Sequence, residues 1–79
     1  MTEPTARQLK YVDHIKINGK DVYTFRWPTQ GIARNNEAMK QSIGHHLVID
    51  GVTRKVLTFE TYALLSPLRQ GDPVGVMVE

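Results

Sequence analysis

Three histidines, His14, His45 and His46, are the first residues to test for metal chemistry, because the 79-residue chain contains no cysteine. Zinc needs three or four converging ligands. His45 and His46 are adjacent, and neighbours on a strand point to opposite faces, so they do not readily share an ion. Asp13, Asp50 and Glu60 could supply oxygen, yet no spacing ties them to the imidazoles. No metal and no cofactor is expected. Ser42 or Ser66 with His14 and Asp13 provides the residue types of a nucleophile, a base and an orienting acid. A triad, however, is defined by geometry rather than by composition. The chain has no Gly-rich phosphate loop, no G-x-S-x-G elbow and no H-E-x-x-H helix. A domain this small also has little room for a closed pocket. The reading is a protein that is not an enzyme.

Two groups of residues point instead to binding. Tyr23, Phe25 and Trp27 are spaced two apart, so on a strand they project from one face. With cations nearby such a row could stack the bases of a single-stranded nucleic acid, and Lys16, Tyr23, Arg26, Trp27, Arg54 and Lys55 are the residues for that reading. The competing reading puts the rings in the core of a domain that has few other large apolar groups, with Trp27, next to Pro28, as the ring left outside. The second group is Arg34-Asn35-Asn36, a cation and two amides within a 17-residue connection from Thr29 to His45. Connections of that length are commonly functional unless they are helical. With Lys40 and Trp27 these residues form the candidate site for a protein partner.

Two hairpins must position these groups. Tyr11–Ile17 and Val22–Trp27 alternate in polarity on either side of Asn18-Gly19, a dipeptide that tolerates the positive φ of a tight hairpin turn. Pro28 ends the second run. Leu47–Ile49 and Arg54–Glu60 repeat the pattern around Asp50-Gly51. His14-Ile15-Lys16-Ile17-Asn18-Gly19 matches His46-Leu47-Val48-Ile49-Asp50-Gly51, which sheet chemistry alone can produce. Between the hairpins, Asn35 or Asn36 could cap a short helix over Glu37–Ser42 that stops at Gly44. Ser66-Pro67 and Gln70-Gly71-Asp72-Pro73 are turns. Val74–Val78 reads as a largely buried last strand that must be paired, with Gly75 marking a bulge or a close backbone approach.

The expected fold is therefore mainly β. About five antiparallel strands form a small half-open barrel, with one short helix or ordered loop between two hairpins. Residues 1–9 are expected as a flexible arm and residues 10–79 as one domain. The expected core draws on Val12 or Ile15, Ile17, Val22, Phe25, Leu47, Ile49, Val56, Leu57, Phe59, Val74, Val76 and Val78. The element order resembles a small Src-homology-3-like barrel, and it is also similar to the β-grasp (ubiquitin-like) arrangement. The chain ends Met77-Val78-Glu79, without the Gly-Gly tail through which ubiquitin-like modifiers act.

The chain is 41% hydrophobic and 23% charged, which suits a folded domain rather than a disordered one. A net charge of +2 falls short of the excess seen in dedicated nucleic-acid binders. The polar N-terminus is unlike a signal peptide, the longest apolar runs are too short for a bilayer, and the lack of cysteine suits a reducing compartment, so a cytoplasmic location is expected. The leading expectation is a small inhibitor, adaptor or assembly subunit, of a kind that viruses and mobile elements also encode, acting on a protein partner. A nucleic-acid-binding module is the alternative. A homodimer or larger homo-oligomer, paired through an open edge strand, comes third.

Overall fold

A computed structural model describes residues 7–79, the side chains of Arg7 and Tyr62 excepted; residues 1–6 of the expected arm lie outside the described residues. The elements are β1 (Arg7–Gln8), β2 (Asp13–Ile17), β3 (Lys20–Arg26), α1 (Ile32–Ser42), β4 (His46–Ile49), β5 (Val52–Phe59), α2 (Thr61–Leu65) and β6 (Pro73–Val78). The strands form one sheet in the order β1-β4-β5-β6-β3-β2. All pairs are antiparallel except β1 with β4, which sets Arg7 beside Leu47 and Gln8 beside Val48. The sheet is not closed.

Both hairpins turn where the Asx-Gly dipeptides stand. Asn18 and Gly19 have φ of 51° and 79°, and Asp50 and Gly51 have 52° and 80°. Positive φ at both central residues matches the right-handed twist of the flanking strands. The second strand of each hairpin, β3 or β5, pairs with β6, and a helix follows each. The two strand-strand-helix units thus flank the last strand. In a β-grasp sheet the last strand runs parallel to the first strand of the leading hairpin; here β6 is antiparallel to both neighbours.

β6 fills the centre because its side chains are apolar on both faces. Val76 lies between Tyr23 of β3 and Phe59 of β5, and Val74 lies beside Phe25. Register places these residues on one face with Val78 and Val56, and all are buried. Met39 of α1, Ala63 of α2 and Leu68 join this cluster. Leu57 marks a register shift in β5 that separates Val56 from Thr58 in the pairing with β6. Gly75 sits under the Glu60 side chain, where an added Cβ would clash with the carboxylate.

Four expectations need correction. Val12, Ile15 and Ile17 are 64%, 47% and 38% exposed. Alternation identifies an apolar face but not the side the helices cover; in β2 the core side carries His14 and Lys16, while Ile15, opposite Val22, lies on the other face. Trp27 is buried at 8% exposure rather than left outside. Helix α1 begins at Ile32, before Asn35 and Asn36, with no side-chain cap, because the N-cap residue is Gly31; the Asn35 amide, inside the helix, bonds to Thr29 and Leu68. The chain also has a second, short helix, α2, that the alternation of Arg54–Glu60 did not announce.

Replacing Gly51 with Ala is expected to destabilise the fold by about 1–2 kcal/mol, from the backbone conformation alone. Open space surrounds the missing Cβ. Urea denaturation checks this, and an unchanged midpoint would contradict the turn geometry.

Candidate functional site

The site is assembled around Asn35, which is fully buried in the first turns of α1. Its Nδ2 donates to the Thr29 carbonyl at 2.7 Å and to the Leu68 carbonyl at 3.0 Å. Its Oδ1 accepts from the Thr29 hydroxyl at 2.7 Å. That hydroxyl in turn accepts from Trp27 Nε1 at 3.0 Å. A buried amide whose bonds are all made stabilises and orients whatever it joins. Here it joins the end of β3, the start of α1 and the segment before β6. The backbone continues the join, as Trp27 N–H donates to Asp72 and Gly71 N–H donates to Trp27.

Beside this junction an open groove of about 1400 Å³ runs between α1 and the β1–β4 end of the sheet. Arg34, Ala38 and Gln41 line it from α1, spaced so that they share one helical face. Leu9, Lys10, His46 and Leu47 line it from the opposite elements, and Phe25, Trp27, Val56 and Phe59 lie at its floor. The floor is apolar, with Leu9, Ala38 and Leu47 only partly buried. Lys10, Arg34 and His45 border it; Arg26 and His46 border it as well, but strand alternation turns their side chains to the sheet face opposite Phe25, Trp27 and Leu47. Glu37 stands one helical position away, its carboxylate held by Gln41 Nε2 at 3.1 Å. Arg26 is steadied by donating from Nη1 to the Gly71 carbonyl at 3.1 Å. A second hollow, near Ala63 and Pro67, holds only about 200 Å³, below the size of ordinary ligand pockets.

At the other end of the core face, side chains tie the two hairpins together. Asp21 accepts from Arg54 Nη1 at 2.9 Å and lies 2.8 Å from His14 Nε2. The Tyr11 hydroxyl donates to Asp50 at 2.6 Å. The His14 ring stacks on Tyr23 with centroids 4.2 Å apart, and Tyr11 meets the same ring edge-on at 4.7 Å. The His14 contact, with help from Lys16 and Arg54, holds the Asp21 carboxyl below its usual range against the opposing effect of burial. The Asp50 carboxylate raises the Tyr11 phenol above its usual value.

The structure therefore divides the residues expected to bind. Trp27, Arg26 and Arg34 all border the groove, Trp27 as a buried residue and Arg26 with its side chain on the opposite face of the sheet. Asn35 is inside the fold and Asn36 is half-buried, so of the amide pair neither is freely presented; Lys40 is exposed outside the groove lining. Tyr23 is 4% exposed and covered by His14 and Tyr11. Arg54 is paired with Asp21, and Lys16 and Lys55 are exposed away from the groove lining. Among the described residues, the histidines do not gather into a group of three or more metal ligands. Sequence reasoning missed Leu9, Lys10, Gln41 and the pair His45-His46 as parts of one wall-and-floor arrangement. The helical spacing of Arg34, Ala38 and Gln41 was the one signal available for it. No helix among the described residues is long and apolar enough to cross a membrane. Comparison of the chain with protein-family models, with curated proteins and with solved structures gives no match.

Replacing Asn35 with Ala is expected to lower stability by about 2–4 kcal/mol, since it strands two carbonyls and a hydroxyl together. Chemical denaturation would measure this, and a loss below about 1 kcal/mol would remove Asn35 from its structural role. The depressed Asp21 carboxyl contributes stability that is present above the unfolded carboxylate pKa and is lost as pH falls through the folded one. Asp21→Asn should therefore flatten the stability profile below about pH 4. An acid limb as steep as that of the parent protein would show that the His14–Asp21–Arg54 contacts contribute nothing.

Proposed function

We propose that this chain is a non-enzymatic binding protein that seats part of a protein partner in the groove beside α1. The observation that carries this reading is one open groove of about 1400 Å³ bordered by the partly buried apolar residues Leu9, Ala38 and Leu47 and by Lys10 and Arg34. Interfaces commonly combine an apolar centre with Arg and a polar rim, and Leu9, Ala38 and Leu47 beside Arg34 provide that set. The hydrogen bonds through Asn35 fix the α1 side of the groove to the Trp27–Thr29 segment and to Leu68 without a partner, which limits the ordering that binding would require there.

The nucleic-acid reading is weaker for a specific reason. Stacking needs an open ring face, whereas Tyr23, Phe25 and Trp27 are exposed by only 4%, 9% and 8%. Self-association through β2 has the exposed edge in its favour, since all five of its residues are exposed, but it carries Asp13 and Lys16, and charged residues on an edge oppose pairing.

Affinity capture from the source cells tests the reading with three baits: the parent chain, Arg34→Glu in the groove and Lys20→Glu at the far hairpin turn, outside its lining. Capture of a protein by the parent and by Lys20→Glu, lost with Arg34→Glu and unaffected by nuclease, is expected. Equal capture by Arg34→Glu, or release by nuclease, would overturn it. Circular dichroism of each bait separates lost binding from lost folding.

A further inference from the structure

We infer that the Asn18-Gly19 turn is a site of spontaneous covalent modification, at which the Asn18 amide is converted to aspartate and isoaspartate while the matching Asp50-Gly51 turn is spared. Several features open Asn18 to attack by its own backbone. Both turn residues are exposed. Nothing lies within 4 Å of the position a Cβ would take on Gly19. The hairpin closes on the pairing of Ile17 with Lys20, so the Gly19 N–H takes no part in the ladder. The side-chain bonds of this hairpin run through Asp13, His14 and Asp21, and among the described residues none engages Asn18.

The step is an intramolecular substitution. The Gly19 amide gives up its proton to hydroxide, and its nitrogen attacks Asn18 Cγ. The new N–Cγ bond closes a cyclic imide as the Cγ–Nδ2 bond breaks, and Nδ2 leaves as ammonia with a proton taken from water. Water then opens the imide at either carbonyl. One opening gives aspartate; the other gives isoaspartate, whose main chain is one carbon longer. Proximity favours such a ring closure, and the missing side chain of Gly19 leaves the approach unhindered. The turn must rotate about Asn18 to bring the atoms together, which is easiest beside an edge strand such as β2, whose residues are all exposed.

Backbone geometry alone does not single out this turn. Asn18 and Asp50 have φ of 51° and 52°, and their glycines 79° and 80°. The side chains make the difference. The Tyr11 hydroxyl donates to Asp50 at 2.6 Å, which ties that carboxylate to another segment and opposes its rotation toward the Gly51 nitrogen. Asn35 is fully buried with its amide bonded to Thr29 and Leu68. Asn36 is followed by Glu37 within α1, where helical bonds hold the backbone nitrogens. The two products also differ in consequence. Aspartate at position 18 fits the turn, as Asp50 does in the other hairpin. Isoaspartate lengthens the turn and disturbs the register of β2, while β3 stays paired with β6.

Incubation of the full chain at neutral and mildly alkaline pH, followed by peptide mass mapping, tests the inference. Asn18 is expected to show the mass gain of amide to acid with both linkages present, faster at the higher pH, while Asn35 and Asn36 stay unchanged. Asn18→Asp then makes the two turns chemically alike except for the Tyr11 tether. In that variant isoaspartate should form about tenfold faster at position 18 than at position 50, the rate equivalent of one hydrogen bond to a charged group. Tyr11→Phe should raise the rate at position 50 and leave that at position 18 unchanged. Circular dichroism checks the fold of both variants. An unaltered Asn18, earlier conversion of Asn35 or Asn36, or equal isoaspartate at both turns of Asn18→Asp would overturn the inference.

Discussion

The requirement that β6 be paired along both edges and covered by helices on one face organises the rest of this molecule. A strand of sequence Pro-Val-Gly-Val-Met-Val cannot stand at an edge without offering an apolar, unpaired backbone to other chains. Placing it between β3 and β5 satisfies its backbone and draws one strand from each hairpin to the centre. Tyr23, Phe25, Val56 and Phe59 then meet Val74, Val76 and Val78 on one side of the sheet. The two helices, each following one of those central strands, fall on that side because it is the only one with enough apolar surface to hold them.

That arrangement leaves α1 only partly seated. The helix gives the core Met39 and the buried amide of Asn35, with Ala38 at the margin. Two buried positions in 11 residues make a narrow contact, and polar bonding through Asn35 does much of the fastening. A helix held along one line rather than across a broad stripe stands away from the neighbouring strands on its other side. The groove is the space that results. Its floor is an uncovered margin of the core, and its cations come from the ends of elements that reach it from different parts of the chain.

The two ends of the core face differ in electrostatics for the same structural reason. Where the hairpin turns approach each other, acids and bases are paired: Asp21 with His14 and Arg54, and Asp50 with Tyr11. The Asp21–Arg54 pair spans β3 and β5 across the intervening β6, while the His14 contact reinforces the paired strands β2 and β3. Toward the groove, Arg26 is bonded to a backbone carbonyl instead. The first end is fastened by its side chains, and the proposal places a protein partner at the second.

Read alone, the sequence determined the turns and the strands beside them. Asn18-Gly19 and Asp50-Gly51 adopt positive φ for reasons held in the residues themselves, and Pro28 and the apolar run Val74–Val78 likewise carry local instructions. The fold class followed from these. Three things did not. Whether Ile15 and Ile17 face the core depends on which side the helices cover, a choice made by the whole sheet. Whether Asn35 caps a helix or ties three segments together depends on Thr29 and Leu68 arriving beside it, the latter 33 residues away. The meeting of Leu9, Phe25, Ala38 and Leu47 along one groove exists only once the segment after β1, β3, α1 and β4 have packed. Local propensity acts over a few residues, while a binding surface is built from contacts that only chain closure brings together.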